Sequence, residues 1–305
     1  MEDYPKTLAE LERRFSNDEY CRKYLATLRW SKGFSCPQCG HDKAWNMANG
    51  HLLCKKCRHQ QSVTQGTIFQ DSHVPLVTWF RAMWYICVQK NGASALGLQR
   101  NLGLGSYRTA WVMLHKLRST MVHHEKDRLS GTIEVDETLV GGAHEGKRGR
   151  GASKKTIVVV AAERNDDKLG RIRMTCVPSF SAESLKNAIA LMCEPGATII
   201  TDGLSAYAIL QRYGYSRMID VGDDTSEKHT LPYCHMATSL LKRWIIGTLQ
   251  GSVGPEHMQD YLNEFVFRFN RRKSASRGKL FYRLAQYSVI SEPITYQSII
   301  QRITG

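Results

Sequence analysis

The chain has 305 residues, enough for two or three domains, and its 42% apolar and 23% charged residues are ordinary for a globular protein. Its formal net charge of +14 favours a polyanionic partner, above all nucleic acid, over a basic enzyme without one. No apolar run approaches the roughly 20 residues that a membrane helix needs, and the acidic N-terminus has no signal peptide. We therefore expect a cytoplasmic protein with no membrane partner.

Residues 1–30 have the apolar spacing of two short helices, the second over residues 18–29. Residues 31–72 lack that periodicity and carry two Cys-x-x-Cys pairs. Two such pairs complete a closed, tetrahedral and therefore structural zinc site, which we favour over a redox dithiol. The predicted ligands of this single Zn²⁺ are Cys36, Cys39, Cys54 and Cys57. The basic zinc ribbon either contacts DNA or only supports its neighbouring helices.

Residues 73–125 are predicted to be helical and to contain a helix-turn-helix around Gly103-Leu104-Gly105. Ser106 is a predicted cap for its second helix. The apolar residues predicted to be buried in the pair are Ala95, Leu98, Leu102, Ala110, Met113, Leu114 and Leu117. The side chains left to meet a DNA groove or phosphates are Tyr107, Arg108, Trp111 and His115. Plain helical packing is the alternative.

From residue 126 to 290, β-type runs alternate with helices, which predicts an α/β domain with a mixed sheet flanked by helices. Residues 291–305 are expected to form a C-terminal tail. Two β-type runs end in aspartate, at Asp136 and Asp202. Paired carboxylates at neighbouring strand ends suit Mg²⁺ or Mn²⁺, and two such ions support phosphoryl transfer. From strand placement alone, aspartates that cap loops explain the pattern equally well.

Several motifs taken together resemble the bacterial insertion-sequence transposases of the DDE class, in the family that joins an N-terminal zinc ribbon to a short catalytic domain. With the ribbon, the resemblance spans about residues 20 to 290. The matching segments are 134–142, 146–152, 201–207, 235–243, 247–248 and 261–272.

That resemblance implies an RNase H-like catalytic domain in which Asp136 and Asp202 are the first two catalytic residues and hold two Mg²⁺ or Mn²⁺ ions. The family's third position can be Glu, Asn or His, seven residues before a lysine. This makes His235 the third catalytic residue and metal ligand, and Lys242 the lysine.

Helix geometry supports the last pair independently, because seven residues at about 100° each return to nearly the same helix face. His235 can then approach the metals while Lys242 holds a phosphate as a point charge. A core histidine and a solvated lysine are the alternative interpretations. Glu227 and Glu264 compete for the position of third ligand.

The resemblance implies a DNA transposase that hydrolyses a strand at its terminal inverted repeats and joins the freed 3′-hydroxyl to target DNA. It would act at the nucleoid as a homodimer or a higher oligomer. The residues expected to contact DNA are Arg108, Lys147, Arg148, Arg150, Lys154, Lys155, Lys242, Arg243, Arg271 and Arg272. Two alternatives stay open: a catalytically inactive zinc-ribbon regulator derived from a transposase, and a structure-specific nuclease of the same fold.

Overall fold

A computed structural model describes residues 2–47, 50–122, 128–141, 155–220, 230–251 and 253–301. The chain forms two compact units. The first comprises Met1–Met121 with Ser274–Ile299, and the second comprises Val122–Lys273 with Ile300–Gly305. None of the helices in the described ranges has the length and apolar character that a bilayer crossing requires.

Secondary structure is numbered in chain order through both units. The α-helices are α1 (Leu8–Arg14), α2 (Asp18–Arg29), α3 (Leu76–Val88), α4 (Ala95–Leu102), α5 (Tyr107–Thr120), α6 (Ala182–Met192), α7 (Pro232–Leu249), α8 (Met258–Asn270), α9 (Arg277–Ile290) and α10 (Tyr296–Ile300). The strands are β1 (Ala44–Asn46), β2 (Leu52–Cys54), β3 (Gln60–Gln61), β4 (Thr132–Val140), β5 (Thr156–Asn165), β6 (Lys168–Val177), β7 (Thr198–Thr201) and β8 (Ser216–Ile219). Two further segments, Ser205–Tyr213 and Pro255–His257, are 3-10 helices.

The first unit is held together by an aromatic core. The Phe15 and Phe80 rings lie 4.7 Å apart and the Phe80 and Phe281 rings 5.5 Å apart, in edge-to-face contacts that stabilise more than burial alone. Phe281 belongs to α9, so the boundary predicted at residue 290 does not hold: residues 274–299 belong with the first unit. The predicted tail also contains α10, in which Ile299 is fully buried.

The predicted helix-turn-helix is present as α4 and α5. The left-handed Gly103 (φ 63°) ends α4. The residues predicted to be buried are buried, except Leu102, which is half-buried. Two expectations are wrong. His115 is fully buried against Trp111, because the later turns of α5 pack inward on nearly every side. Ser106 occupies the N-cap position of α5 but makes no capping hydrogen bond with its side chain.

The second unit is built on a five-stranded sheet in the order β6-β5-β4-β7-β8. The first three strands are antiparallel, whereas β7 and β8 run parallel to β4. Helices α7 and α8 cover one face, and α6 with the Ser205–Tyr213 helix covers the other. This mixed sheet between helical layers confirms the predicted α/β, RNase H-like fold class. The Ser205–Tyr213 helix is a 3-10 helix, which is wound more tightly than an α-helix.

Strand β4 is longer than its sequence indicates. Asp136 lies in the middle of β4 rather than at its end, because the antiparallel pairing with β5 continues to Val140. The parallel pairing of β4 with β7, however, stops at Glu134 opposite Ile200. On the side of β4 that faces β7, Asp136 therefore lies two residues beyond the last paired residue, Glu134.

Candidate active site and zinc centre

The four predicted zinc ligands converge. The Cys36 and Cys57 sulfurs lie 3.6 Å apart, as do the Cys39 and Cys54 sulfurs, and all four lie within 4.8 Å of one another. Sulfurs about 2.3 Å from a tetrahedral Zn²⁺ are separated by about 3.8 Å, so the set fits this ion. Among the described residues it is the only group of three or more His, Cys, Asp or Glu side chains this compact.

Two matching turns present these thiols. Cys36 N–H donates to the His41 carbonyl and Cys54 N–H to the His59 carbonyl, both at 2.9 Å. Each turn closes through the residue that follows its second cysteine. Gly40 occupies that place in the first turn with φ 71°, and Arg58 occupies it in the second with φ 61°. Both residues are thus left-handed, and the second turn has an arginine where the first has a glycine.

Asp136 and Asp202 face the same side of the sheet. Glu134 and Ile200 are direct partners in the β4–β7 register, so each aspartate follows a partnered residue by two positions. Side chains two apart on a strand share a face, and here that face is the one covered by α7 and α8. Asp202 follows β7 directly, and its Oδ1 accepts the Leu204 N–H at 3.0 Å.

His235 and Lys242 both lie on α7, outside the buried stripe formed by Cys234, Ala237, Leu241, Trp244 and Ile245. The His235 Nε2 is 3.4 Å from the Asp136 Oδ2, and the histidine side chain is 51% exposed, so it is not a core histidine. The structure therefore brings the predicted histidine to the predicted first aspartate, across 99 residues of sequence.

The charges of Asp202, His235 and Lys242 all act on the Asp136 carboxyl. Burial raises the pKa of the Asp136 carboxyl, and Asp202 adds to the rise, while the Glu137 N–H, His235 and Lys242 oppose it. Partial desolvation lowers the pKa of the Lys242 ammonium, the nearby Lys155 lowers it further, and Asp136 opposes the change. A divalent cation beside Asp136 would relieve the burial cost of its charge.

The donor set at this site suits a hard divalent ion. Asp136 uses Oδ1 to accept the Glu137 N–H at 2.9 Å, so Oδ2 remains on the side of His235. Among the described residues, Asp136, Asp202 and His235 do not form a group as compact as the four cysteines. An open arrangement is what Mg²⁺ prefers, since it keeps several waters and takes further ligands from substrate phosphates.

Two segments of the chain match known transposase domains. Residues 128–270 match the ISXO2-like transposase domain, and residues 16–60 match the transposase zinc-ribbon domain. The chain is therefore similar to transposases in both its ribbon segment and its α/β segment.

The individual proteins that match this chain are distant in sequence. An uncharacterized protein of the transposable element ISH50 from Halobacterium salinarum is 25% identical over 278 residues, covering 83% of this chain and 91% of that protein. Among solved structures, the crystal structure of the Mos1 strand transfer complex matches at 11% identity, covering 69% of this chain and 74% of that chain. Its TM-score is 0.28.

Glu134 is a residue that the sequence interpretation missed. Its fully buried carboxylate accepts the N–H groups of Tyr233 and Cys234 at 2.8 and 3.0 Å. These donors belong to the first turn of α7, which has no side-chain cap of its own. The same carboxylate pairs with Arg164 at 2.8 Å. Glu134 thus fastens the start of the helix that carries His235 to the strand that carries Asp136.

Arg217 holds the loop that carries Asp202. Its guanidinium donates to the Thr201 hydroxyl at 3.2 Å and to the Asp202 and Leu204 carbonyls at 3.3 and 3.0 Å. Nothing in the sequence indicated this role. The Glu-x-Asp spacing of Glu134 and Asp136, in contrast, could have revealed Glu134, because alternate residues of a strand share a face.

On the opposite face, the Tyr207 hydroxyl donates to Glu137. Burial raises the pKa of Tyr207 well above its usual value, and the negative charges of Glu137, Asp136 and Asp202 raise it further. The tyrosine therefore stays protonated and remains a hydrogen-bond donor. It ties the Ser205–Tyr213 helix to β4 behind the two aspartates.

The residues expected to contact DNA have different local settings. Lys155 lies near Lys242, and Arg243 is exposed on α7. Arg271 and Arg272 lie over the Phe267 and Phe269 rings, and Arg272 also donates to the Leu169 carbonyl at 2.6 Å. The guanidinium of Arg108 lies 4.4 Å from the centre of the Tyr296 ring. Lys147, Arg148, Arg150, Lys154 and the competing ligand Glu227 fall outside the described residues.

The other competing ligand, Glu264, has a structural setting. It is fully buried in α8, and its carboxylate lies 3.6 Å from the Arg268 guanidinium. The His235 Nε2, by contrast, lies 3.4 Å from the Asp136 Oδ2. His235 is therefore the better candidate for the third position.

Proposed function

We propose that this chain is the DNA transposase of a bacterial insertion sequence, which cuts DNA at the element's ends and transfers the freed 3′-hydroxyl into target DNA. The observation that carries the proposal is that Asp136 and Asp202 each follow the directly paired Glu134 and Ile200 by two positions, with His235 3.4 Å from Asp136. The match to a transposase domain makes phosphoryl transfer the natural use of that arrangement.

Asp136 and Asp202 would hold one or two Mg²⁺ or Mn²⁺ ions, with His235 as a third ligand. Such ions supply activation of the attacking oxygen and neutralisation of charge on the leaving oxygen. Lys242 would hold a DNA phosphate beside them, and Lys155 would add to the positive field that attracts it. Glu134 and Arg217 would act as positioning residues, since each fixes the backbone that carries a proposed ligand.

DNA recognition would fall to the first unit. The zinc ribbon and the α4–α5 pair would bind the terminal inverted repeats, with Arg108 and the exposed Tyr107 at the start of α5. A phosphate contact through Arg271 and Arg272 requires each guanidinium to bind DNA while it stays over its phenylalanine ring. Because transposition joins two ends, we propose that the active species on DNA is a dimer or a higher oligomer.

A strand-transfer assay tests the proposal. Oligonucleotides carrying the element's ends are incubated with the full chain and Mg²⁺ or Mn²⁺, and both nicked and joined products are measured. Asp136→Ala and Asp202→Ala should abolish both products, whereas Asp167→Ala, which removes an exposed aspartate after β5, should keep them. Activity in either of the first two variants contradicts the site.

The same assay separates the alternatives. Cutting of branched DNA without any joining would indicate a structure-specific nuclease. Specific binding of the ends without cutting, with either metal, would indicate a regulator.

His235 can be tested by its replacement. His235→Ala should lose activity with either metal, and His235→Glu should keep it, because a carboxylate is a harder ligand for Mg²⁺ than an imidazole. Wild-type activity in His235→Ala would remove the histidine from the metal site.

A further inference from the structure

The zinc ribbon presents an exposed tryptophan with two cations over it. Trp45 of β1 is 42% exposed, although tryptophan is highly buried on average in folded proteins. The Arg58 guanidinium lies 4.6 Å and the Lys55 ammonium 5.4 Å from the centre of the indole ring. The three side chains, which we call the Trp45 platform, combine an apolar ring with positive charge on one exposed surface.

Arg58 occupies a place in the backbone where glycine would be the relaxed choice. Its N–H donates to the Cys54 carbonyl at 3.2 Å, as the Gly40 N–H donates to the Cys36 carbonyl at 2.9 Å in the first turn. Both residues are left-handed, a conformation that costs an L residue free energy and glycine almost none. Strain of this kind persists in folded proteins chiefly where function uses the side chain.

Ion pairs within the described residues do not account for the positive charges of the ribbon. Residues 31–61 contain the cations Lys32, Lys43, Lys55, Lys56 and Arg58 but a single acid, Asp42. Within the described ranges, none of the five cations lies at ion-pair distance from a carboxylate. A cation held in a strained turn without a carboxylate partner is available to an anion from outside the chain.

We propose that the Trp45 platform is the surface through which the ribbon binds duplex DNA, with the indole against the sugar face of the backbone and Arg58 and Lys55 on the flanking phosphates. This inference rests on the proposed function and adds to it the contact residues of the ribbon. The spacing suits a backbone contact, because both cations lie within 6 Å of one ring and so flank a single apolar surface.

The zinc site should control whether the surface exists. Cys54 and Cys57 flank Lys55, and Arg58 follows Cys57 directly, while Trp45 reaches the same place from β1, which pairs with β2. Binding of metal by the four thiols would fix the turn that holds both cations over the ring.

Arg58→Gly is the decisive variant, because it removes the charge and at the same time relieves the strained backbone. Zinc-loaded full chain is titrated against labelled duplex carrying the element's end over a range of salt concentrations. We expect the variant to keep its zinc and to melt at or above the wild-type temperature, yet to bind DNA about 10-fold more weakly. The slope of log affinity against log salt should fall by about 1.

Trp45→Ala and Lys55→Gln test the other members of the platform and should each weaken binding about 5- to 10-fold with zinc retained. Arg13→Ala, which removes an exposed arginine of α1, is the matched control and should change affinity less than about 2-fold. If Arg58→Gly and Lys55→Gln bind like wild type, or if Arg13→Ala weakens binding as much as they do, the platform is not the contact. A wild-type chain that fails to bind the duplex at all would instead overturn the proposed function.

Discussion

Replacement of Glu134 by glutamine should loosen the junction between β4 and α7 with almost no change in side-chain volume. The carboxylate has three donors directed at it, from Tyr233, Cys234 and Arg164, at 2.8 to 3.0 Å. Glutamine has one acceptor oxygen and turns its NH₂ group toward a donor, so at least one hydrogen bond is lost in a buried place.

The structure sets the size of the effect. Loss of one member of a buried ion pair costs about 3–5 kcal/mol, and loss of one hydrogen bond to a charged group about 1.5–3 kcal/mol. The Arg164 side chain is 34% exposed and can turn to water, which favours the lower values. We expect the free energy of unfolding to fall by about 2–4 kcal/mol, or roughly 4–16 °C in melting temperature for a domain of this size.

Glu163→Gln is the matched control. Glu163 is 5% exposed, accepts the Ser130 and Arg171 N–H groups and pairs with the Arg171 side chain at 2.6 Å, and none of these partners belongs to the proposed active site. Both variants should melt earlier in thermal denaturation. Below both midpoints, Glu134→Gln alone should reduce Mn²⁺-dependent strand transfer. Equal loss of activity in the two variants, or a Glu134→Gln midpoint within about 1 °C of wild type, would refute the positioning role.

Three further outcomes are expected. Because burial raises the pKa of Asp136, the metal-free chain loses stability as pH rises through that pKa. Asp136→Asn should therefore melt at a higher temperature than wild type at neutral pH, melt with it in acid, and no longer be stabilised by Mn²⁺. Identical melting temperatures at neutral pH would contradict this. Cys36→Ser should lose the zinc while Cys21→Ala, a buried thiol of α2, keeps it, and metal analysis showing zinc in both would exclude Cys36 as a ligand. Arg217→Lys should lower the rate of strand transfer about 10- to 100-fold, since an ammonium cannot reach all three acceptors of the guanidinium. Replacement of the exposed Arg212 by lysine should leave the rate unchanged. Equal rates in the two variants would exclude a positioning role for Arg217.

Features that depend on short-range patterns could be predicted from the sequence. The clustering of the four cysteines and the limits of α2 depend on spacings of a few residues, and both are confirmed. The α/β class followed from the alternation of strands and helices. The alternate-residue rule also places Asp136 and Asp202 on the same face once the register of β4 with β7 is known.

Other features depend on tertiary partners that no local pattern specifies. An amphipathic helix such as α9 shows an apolar face but not the core that will receive it, and so the domain boundary was misplaced. His115 has the spacing of an outward residue, yet α5 is enclosed on that side as well. The hydrogen bonds of Glu134 and Arg217 link residues 13 to 100 positions apart, beyond the reach of any helix or strand periodicity.

The first unit is made from both ends of the chain, with the second unit inserted between Met121 and Ser274. During synthesis, a ribosome must translate all of the inserted domain before α9 emerges and Phe281 can enter the aromatic core. A nascent chain arrested before that point carries a complete ribbon sequence but an open core. Completion of the first unit therefore requires translation of residues 122–273 of the second unit, so the aromatic core cannot close in a product truncated before α9.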